Sequence, residues 1–213
     1  MANISATKAV FLDALGTLVE LEPPWIGLRA RIGDGIPEER LVAAVKAEMA
    51  YYKQHSDEGR DEASLRDLRA RCAEVLSERL GQEVSAETLV DSIRFQPYPD
   101  AAPALDGLRD RGLTLVCVSN WDVSLPRVLE RCGLADRLDA VVTSAEAGAR
   151  KPEPGIFAAA LSEADCRPAE ALHVGDTPEE DLAGARAAGI RCLLIDRDGK
   201  ADIAALTEVV DRV

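Results

Sequence analysis

Short apolar runs alternate with amphipathic stretches along most of the chain. The first run, Ala9–Leu12, is continuously apolar, which is typical of a strand buried on both faces. Further apolar runs, each a predicted strand, lie at 113–118, 140–143, 171–174 and 191–195. Predicted helices separate or follow these strands at 100–111, 122–132, 154–164, 178–188 and about 200–211. This alternation predicts an α/β fold in three layers, with a mainly parallel sheet between helices.

The interval from 21 to 96 follows a different pattern. Apolar residues recur at helical spacing over 41–52 and again over 65–80, and a short third helix is predicted at 86–93. Two adjacent prolines within 22–25 predict a stiff segment without regular structure. Since no strand pattern interrupts the interval, we predict that it forms a separate, all-helical subdomain.

Polar residues follow four of the predicted strands. In an open parallel sheet the carboxyl ends of the strands share one edge, and ligands bind there. Taken singly, each polar residue has a structural explanation as a turn former, a helix cap, a surface lysine or an acid near a helix start. The residues concerned are Asp13, Ser119, Asn120, Lys151, Asp176 and Asp181.

Taken together, the same residues indicate a site for a cation and an anion. Three carboxylates, Asp13, Asp176 and Asp181, would repel one another at one sheet edge unless a cation lay between them. Oxygen ligands are those that Mg²⁺ prefers. Lysine is rare in this chain, with five Lys beside twenty Arg, and Lys151 next to a hydroxyl and a metal ion would hold a phosphate group. The pattern therefore predicts phosphoryl chemistry on a small phosphorylated molecule.

Composition narrows the class of protein and of partner. With 213 residues, 47% hydrophobic and 30% charged, the chain is predicted to be globular. Its formal net charge of −13 argues against a nucleic-acid surface, because phosphate backbones bind clusters of Lys and Arg. No apolar run approaches the roughly 20 residues of a membrane helix, no signal peptide is recognisable, and the five Cys form no CxxC pair. We expect a cytoplasmic protein without a membrane or nucleic-acid partner, and the sequence leaves monomer or homodimer open.

The chain resembles the haloacid dehalogenase-like (HAD) hydrolase superfamily through four motifs that occur in the family's order. They are Asp13-Ala-Leu-Gly-Thr-Leu, Ser119-Asn, Lys151-Pro, and Gly175-Asp-Thr-Pro-Glu-Glu-Asp181-Leu-Ala-Gly-Ala. The resemblance implies a Rossmann-like core over 1–20 and 97–213. It also implies a helical cap over 21–96, inserted after the first motif.

The resemblance implies roles in catalysis and phosphate binding. Asp13 would be the nucleophile that forms an aspartyl intermediate, a known covalent route for carboxylates. Lys151 would neutralise charge on the nucleophile and on the phosphate. Ser119, Asn120 and Thr17 would contribute to binding the phosphate.

The resemblance further implies a magnesium site. Asp13, Asp176 and the backbone carbonyl of Leu15 would ligate Mg²⁺, and Asp181 would ligate it directly or hold a metal-bound water. The ion would act as a template and stabilise charge on the transferring group.

One position departs from the family's phosphatases, which carry a second Asp two residues after the nucleophile as general acid and base. Leu15 stands there and cannot transfer a proton. General acid–base help is worth about 10²–10⁴ in rate. We therefore expect slow turnover of esters with poor leaving alcohols, unless Glu20 or Glu22 takes over, a hypothesis that rests only on nearness in sequence.

Leu15 also opens two alternatives. The 2-haloacid dehalogenases lack the second Asp as well, because halide leaves without a proton, and their first motif is similar. They work without Mg²⁺, however, and lack the Asp that stands here as Asp176. The other alternative is a phosphate-binding or regulatory protein that has lost efficient catalysis, against which the retained Asp13, Lys151 and Asp176 argue. These residues favour a Mg²⁺-dependent phosphohydrolase.

Overall fold

A five-stranded parallel sheet forms the centre of the computed structural model, which describes residues 6–213. Residues 6–213 contain seven strands, five in this sheet and two in a separate pair: β1 (Ala9–Leu12), β2 (Val19–Leu21), β3 (Phe95–Pro97), β4 (Thr114–Ser119), β5 (Ala140–Thr143), β6 (Ala171–Gly175) and β7 (Arg191–Leu194). The central sheet has the order β5–β4–β1–β6–β7. Its middle strand, β1, is fully buried, as its continuous apolar sequence predicts. The prediction of a mainly parallel sheet is confirmed.

The register of the sheet brings three strand ends to one edge. β1 pairs in parallel with β4 and β6, so that Leu12 lies opposite Cys117 on one side and Val174 on the other. The residues that follow these positions therefore leave the sheet at the same edge. This alignment places the first, second and fourth sequence motifs next to one another.

Helices cover both faces of the sheet. The α-helices of the described part are α1 (Pro24–Ile32), α2 (Glu38–His55), α3 (Glu62–Leu80), α4 (Ala86–Ser92), α5 (Ala101–Asp110), α6 (Leu125–Arg131), α7 (Ser144–Ala147), α8 (Pro154–Glu163) and α9 (Ala183–Ala187). Helices α5 and α6 pack on one face with Val10 and Leu12, and α8 and α9 pack on the other with Ala9 and Phe11. Every helix within residues 6–213 is too short or too polar to span a bilayer.

The segment between β2 and β3 is helical and has a core of its own. β2 and β3 form an antiparallel pair, and α1–α4 lie between them in the chain. Leu41, Leu68, Leu76 and Leu89 belong to a hydrophobic cluster that is separate from the two clusters beside the sheet. The exact division into a core and a cap at 21 and 96 stays a prediction, which this separate cluster supports.

Several local predictions were wrong. Helix α1 begins at Pro24, because proline suits the first helical turn, where its missing N–H is not needed. Strands β2 and β3 were missed, since three residues are too few for a recognisable alternation. The helix predicted at about 200–211 is a 3₁₀ helix over Leu206–Arg212, whose start is fixed by the Glu208 carboxylate capping two preceding N–H groups. The helix predicted at 178–188 opens with a wide π turn over Pro178–Leu182 before α9.

Candidate active site

A buried lysine joins two aspartates at the carboxyl edge of the sheet. Lys151 Nζ donates to Asp13 Oδ1 and to Asp181 Oδ1, both at 2.6 Å. Asp13 directly follows β1, Lys151 lies in the loop before α8, and Asp181 lies in the π turn before α9. The side chains of Lys151 and Asp181 are 2% and 1% exposed, so water does not reach their contact. Three residues that are far apart in the sequence thus form one charged network.

Burial and the opposing charges together set the ionisation of this network. Burial raises the pKa of Asp13, and Lys151 acts against that rise. Burial disfavours the charge of Lys151, but the two carboxylates outweigh it and raise the pKa above its ordinary value. Burial also acts against ionised Asp181, yet Lys151 and His173 hold the pKa of that carboxyl well below its usual range. At neutral pH Lys151 is therefore a cation and Asp181 a carboxylate.

Two glycines allow carboxylates to pack directly against the backbone. A Cβ at Gly16, which has a φ of +85°, would lie 2.1 Å from Asp176 Oδ2. A Cβ at Gly175 would lie 2.1 Å from Asp181 Cγ. Any side chain at these positions would displace the aspartates, so the glycines of the first and fourth motifs define where the carboxylates lie.

The amide of Asn120 holds the backbone of Lys151 in place. Its Oδ1 accepts from the Lys151 N–H at 2.7 Å, and its Nδ2 donates to the Lys151 carbonyl at 3.0 Å. The same Nδ2 donates to Glu180 Oε2 at 3.0 Å. The side chain of Asn120 therefore positions Lys151, a contact that sequence reasoning did not include. Ser119, the last residue of β4, is buried beside Asp13.

His173 supports Asp181 from within the sheet. Its Nε2 lies 2.8 Å from Asp181 Oδ1, and because that oxygen belongs to a carboxylate, Nε2 is the donor. The Thr177 N–H donates to Asp181 Oδ2 at 3.0 Å, so protein groups use both oxygens of Asp181. The apolar run at 171–174, which contains His173, did not indicate this contact. Residues two apart in a strand face the same side, so His173 and Gly175, against which Asp181 packs, lie on one face of β6.

The three aspartates differ in how many of their oxygens are free to bind a divalent cation. Carboxylate oxygens of Asp13, Asp176 and Asp181 lie within 4.8 Å of one another. Partial burial, followed by the charge of Asp13, raises the pKa of Asp176 to about 6, as crowding of like charges does. The Leu15 carbonyl accepts no backbone hydrogen bond within residues 6–213. Asp13, Asp176 and the Leu15 carbonyl thus offer oxygens for a hard cation such as Mg²⁺, whereas Asp181 has both of its oxygens engaged.

A cleft of about 460 Å³ lies between this edge and the helices α2–α4. Asp13, Ser119 and Asp176 line the cleft on the sheet side, together with Leu15, which is 39% exposed. The helical side contributes mainly apolar residues. The volume of the cleft is within the range of small-molecule sites in enzymes.

Three residues proposed from the sequence do not line this cleft. Thr17 is fully buried, and its Oγ1 has no hydrogen-bond partner in the described part of the chain. Glu22 accepts a hydrogen bond from Gln96, and Glu20 lies in the β2–β3 ladder opposite Gln96. The hypothesis that Glu20 or Glu22 replaces the missing acid therefore gains no support from their positions.

Polar contacts connect the end of α2 to the sheet edge. Tyr52 Oη donates to Asp122 Oδ2 at 2.8 Å, and Asp122 is 3% exposed. Lys53 Nζ lies 2.8 Å from Glu180 Oε1. Tyr52, Lys53, Asp122 and Glu180 all line the cleft. The helical spacing over 41–52 indicates the buried face of α2, but such spacing does not reveal what the hydroxyl of Tyr52 contacts.

Known proteins resemble this chain in sequence. A family model for haloacid dehalogenase-like hydrolases matches residues 7–189. Haloacid dehalogenase-like hydrolase domain-containing protein 3 of Bos taurus is 38% identical over 134 residues, 63% of this chain and 51% of the relative. The phosphoserine phosphatase of Thermus thermophilus is 38% identical over 130 residues, 58% of this chain and 52% of the relative. This chain therefore spans about half the length of the curated relatives that it matches.

Solved structures share the fold over nearly the whole chain. A HAD phosphatase from Thermococcus onnurineus has a TM-score of 0.69 and 26% identity, with 97% of both chains covered. An L-2-haloacid dehalogenase from Xanthobacter autotrophicus has a TM-score of 0.71 and 24% identity over 96% of this chain and 97% of that one, which shows a common fold alone. The predicted α/β, Rossmann-like fold is confirmed. Since the family model covers most of the chain, this protein belongs to the haloacid dehalogenase-like hydrolase family.

Proposed function

We propose that this chain is a Mg²⁺-dependent phosphohydrolase that acts on a small phosphorylated substrate through an aspartyl-phosphate intermediate on Asp13. The observation that carries the proposal is the contact of buried Lys151 with Asp13, at a cleft that Asp176 also lines. A carboxylate nucleophile, a fixed cation and a further carboxylate for a metal are the groups that phosphoryl transfer to Asp requires. Relatives named as phosphoserine, ribulose-1,5-bisphosphate and glyceraldehyde 3-phosphate phosphatases support the same reaction class.

Asp13 would react in two steps. Lys151 holds Oδ1, which leaves Oδ2 to attack phosphorus. As the new bond from Asp13 to phosphorus forms, the bond from phosphorus to the leaving oxygen breaks, and the leaving group departs with the electron pair. Water then attacks phosphorus, the bond from phosphorus to the Asp13 oxygen breaks, and the proton of the water passes to solvent, which releases inorganic phosphate and the Asp13 carboxylate. The fixed charge of Lys151 stabilises the negative charge of both transition states.

The residues that would hold Mg²⁺ are Asp13, through the oxygen that does not attack and that accepts one hydrogen bond, Asp176 and the Leu15 carbonyl. Bound there, the ion would orient the phosphate oxygens and neutralise their charge. Asp181 would hold Lys151 in place rather than ligate directly, because both of its oxygens already accept hydrogen bonds from protein groups.

The test compares three substrates with Mg²⁺ and with EDTA: p-nitrophenyl phosphate, acetyl phosphate and L-2-chloropropionate. We expect phosphate release that requires Mg²⁺ and falls to background in Asp13→Asn. Asp110→Asn is the matched control, because Asp110 is exposed and makes no side-chain hydrogen bond or ion pair among the described residues. Phosphate release that survives in Asp13→Asn would contradict the nucleophilic role.

Leu15 makes the proposed activity depend on the leaving group. It borders the cleft next to Asp13 and cannot protonate a departing alcohol, and Glu20 and Glu22 lie elsewhere. Acetyl and aryl phosphates should therefore react faster than alkyl phosphates. Leu15→Asp should raise turnover of an alkyl phosphate by at least about tenfold and up to the 10²–10⁴ of general acid–base help, with a smaller effect on acetyl phosphate. Equal effects on both substrates would contradict this account.

A 2-haloacid dehalogenase is the second candidate, and Leu15 is the observation that favours it, since halide needs no proton to leave. The exposed Asp176 beside Asp13 opposes it, because that chemistry needs no metal ligand there. Chloride release from L-2-chloropropionate that persists in EDTA would replace the phosphatase proposal with this one.

A further inference from the structure

A single carboxylate interrupts the apolar side of the cleft. Helix α2 buries Leu41, Ala44, Val45 and Glu48, which recur at helical spacing on one face. Glu48 is 4% exposed and lines the cleft that also contains Asp13. A glutamate in this setting is unusual, because Glu is almost never fully buried unless it is paired.

Glu48 has no charged partner in the part of the chain that the structure describes. It forms no ion pair among residues 6–213, and its close polar neighbour is the thiol of Cys72, a weak hydrogen-bond donor. Burial raises the pKa of Glu48 to about 7, which reflects the cost of a carboxylate with too few partners. Arg69 lines the same cleft and forms no ion pair among residues 6–213, and no positive charge from those residues acts on Glu48.

Among residues 6–213, no side chain other than Cys72 donates a hydrogen bond to Glu48. Val45, Met49, Leu89 and Ile93 line the helical side of the cleft, and Trp121 lies opposite. A ligand that fills this space would bury an apolar body against these residues. It would also satisfy Glu48 if it carried a positive charge, since a buried carboxylate is stabilised most by a charged donor.

We propose that Glu48 is a specificity residue that selects phosphate esters whose organic part is apolar and carries a protonated amine. The proposal deepens the phosphohydrolase function and rests on it. The phosphate would lie at Asp13 and Lys151, and the amine would lie at the far end of the cleft. Substrates whose organic part ends in a carboxylate would be rejected by like charge.

The experiment compares two aryl phosphates of equal shape, 4-(aminomethyl)phenyl phosphate and 4-ethylphenyl phosphate. Both release a phenol, so the absence of an acid at Leu15 affects them alike. We expect kcat/KM of the unaltered enzyme to favour the amine by about tenfold or more, since hydrogen bonds between charged groups are stronger than those between neutral ones. Glu48→Gln should bring this preference close to one, mainly through a higher KM for the amine.

Two further variants separate recognition from folding. Glu48→Met, which is apolar and of similar length, should also lose the preference for the amine. Glu39→Gln removes an exposed acid of the same helix and should keep the preference. A preference that survives in Glu48→Gln, or that is absent from the unaltered enzyme, would overturn the proposal.

A binding measurement distinguishes failure of this inference from failure of the phosphatase function. If neither ester releases phosphate in the presence of Mg²⁺, the proposed function fails, and calorimetry with benzylamine tests Glu48 alone. We then expect benzylamine to bind the unaltered protein at least about tenfold more tightly than Glu48→Gln. Equal affinities would overturn the role of Glu48 whether or not the protein is a phosphatase.

Discussion

Ion pairs of the same chemistry occur in two regions of this molecule with opposite access to water. At the sheet edge, Lys151 bridges Asp13 and Asp181, and these side chains are 2%, 9% and 1% exposed. Between α2 and the edge, Lys53 pairs with Glu180 at 2.8 Å, but these side chains are 65% and 22% exposed. The distances are nearly equal, so the two regions differ in the exposure of their ion pairs to solvent and not in the geometry of those pairs.

Access of water decides what the loss of one partner costs. Breaking a buried pair leaves a charge that water cannot reach, which costs about 3–5 kcal/mol, whereas exposed pairs contribute about 0.2–1 kcal/mol. The groups at the sheet edge are therefore held firmly, and some contacts of the helical segment with that edge can be replaced by water. This difference suits a cleft that admits a substrate while its reacting groups stay in place.

The largest expected effect is that of Lys151→Met. It leaves Asp13 and Asp181 buried without their shared cation, so the free energy of unfolding should fall by about 3–5 kcal/mol at neutral pH in urea titrations followed by circular dichroism. Lys46→Met, on the exposed face of α2, should change it by less than about 0.5 kcal/mol. Similar values for the two variants would remove the contrast between the regions.

The sheet edge could be predicted from the sequence because parallel strands align their ends. Asp13, Lys151 and Asp181 were expected together, and they are in contact. The contacts and burial of the Asn120 and Thr17 side chains could not be predicted. Whether Asn120 faces the cleft or the Lys151 backbone, and whether Thr17 is buried, depends on loop conformations that no periodic pattern records.

Glu48→Gln should change how stability depends on pH. The pKa of Glu48 in the folded protein, about 7, is above its ordinary value of 4.5, so the folded state binds the proton more tightly. The contribution is present below pH 4.5 and is lost as pH rises through about 7. From pH 5 to pH 8 the unaltered protein should therefore lose about 2–3 kcal/mol relative to Glu48→Gln.

Urea titrations at both pH values measure this difference. The facing group from α3 is Cys72, whose pKa burial raises to about 12, so it stays neutral over this range. The titrations of Asp13 and Asp176 occur in both proteins and cancel. Glu39→Gln should follow the unaltered protein, and a pH-independent difference between Glu48→Gln and the unaltered protein would show that Glu48 is exposed to water in solution.

The helices of the helical segment could be predicted from the sequence, but the contacts of their side chains could not. Helical spacing gave α2 and α3, because each must bury one face. It did not reveal that Glu48 lies on that face beside a cleft, or that Tyr52 reaches Asp122, since both depend on residues far away in the chain. Strands β2 and β3 are short and depend on each other for their hydrogen bonds.

Tyr52→Phe tests a contact that is intermediate between the two regions. Asp122 is buried, and the phenol is one of its donors, so removing the hydroxyl should cost about 1–3 kcal/mol in the free energy of unfolding. Tyr51→Phe is the matched control, because Tyr51 accepts from Arg71, which also pairs with Asp67 and Glu58 at the surface. We expect a cost below about 1 kcal/mol for this control. Equal costs would mean that the Tyr52 contact is as accessible to water as that of Tyr51.

The smallest expected effect belongs to Lys53 and Glu180, and a double-mutant cycle of Lys53→Met and Glu180→Gln measures it. Gln keeps an acceptor for Asn120, so the cycle isolates the ion pair. We expect a coupling of about 0.2–1 kcal/mol that disappears in 1 M NaCl, where screening acts over about 3 Å. A coupling above about 2 kcal/mol that persists in salt would show that water is excluded from this contact. The end of α2 would then be held as firmly as Lys151, and substrate would have to enter the cleft by another route.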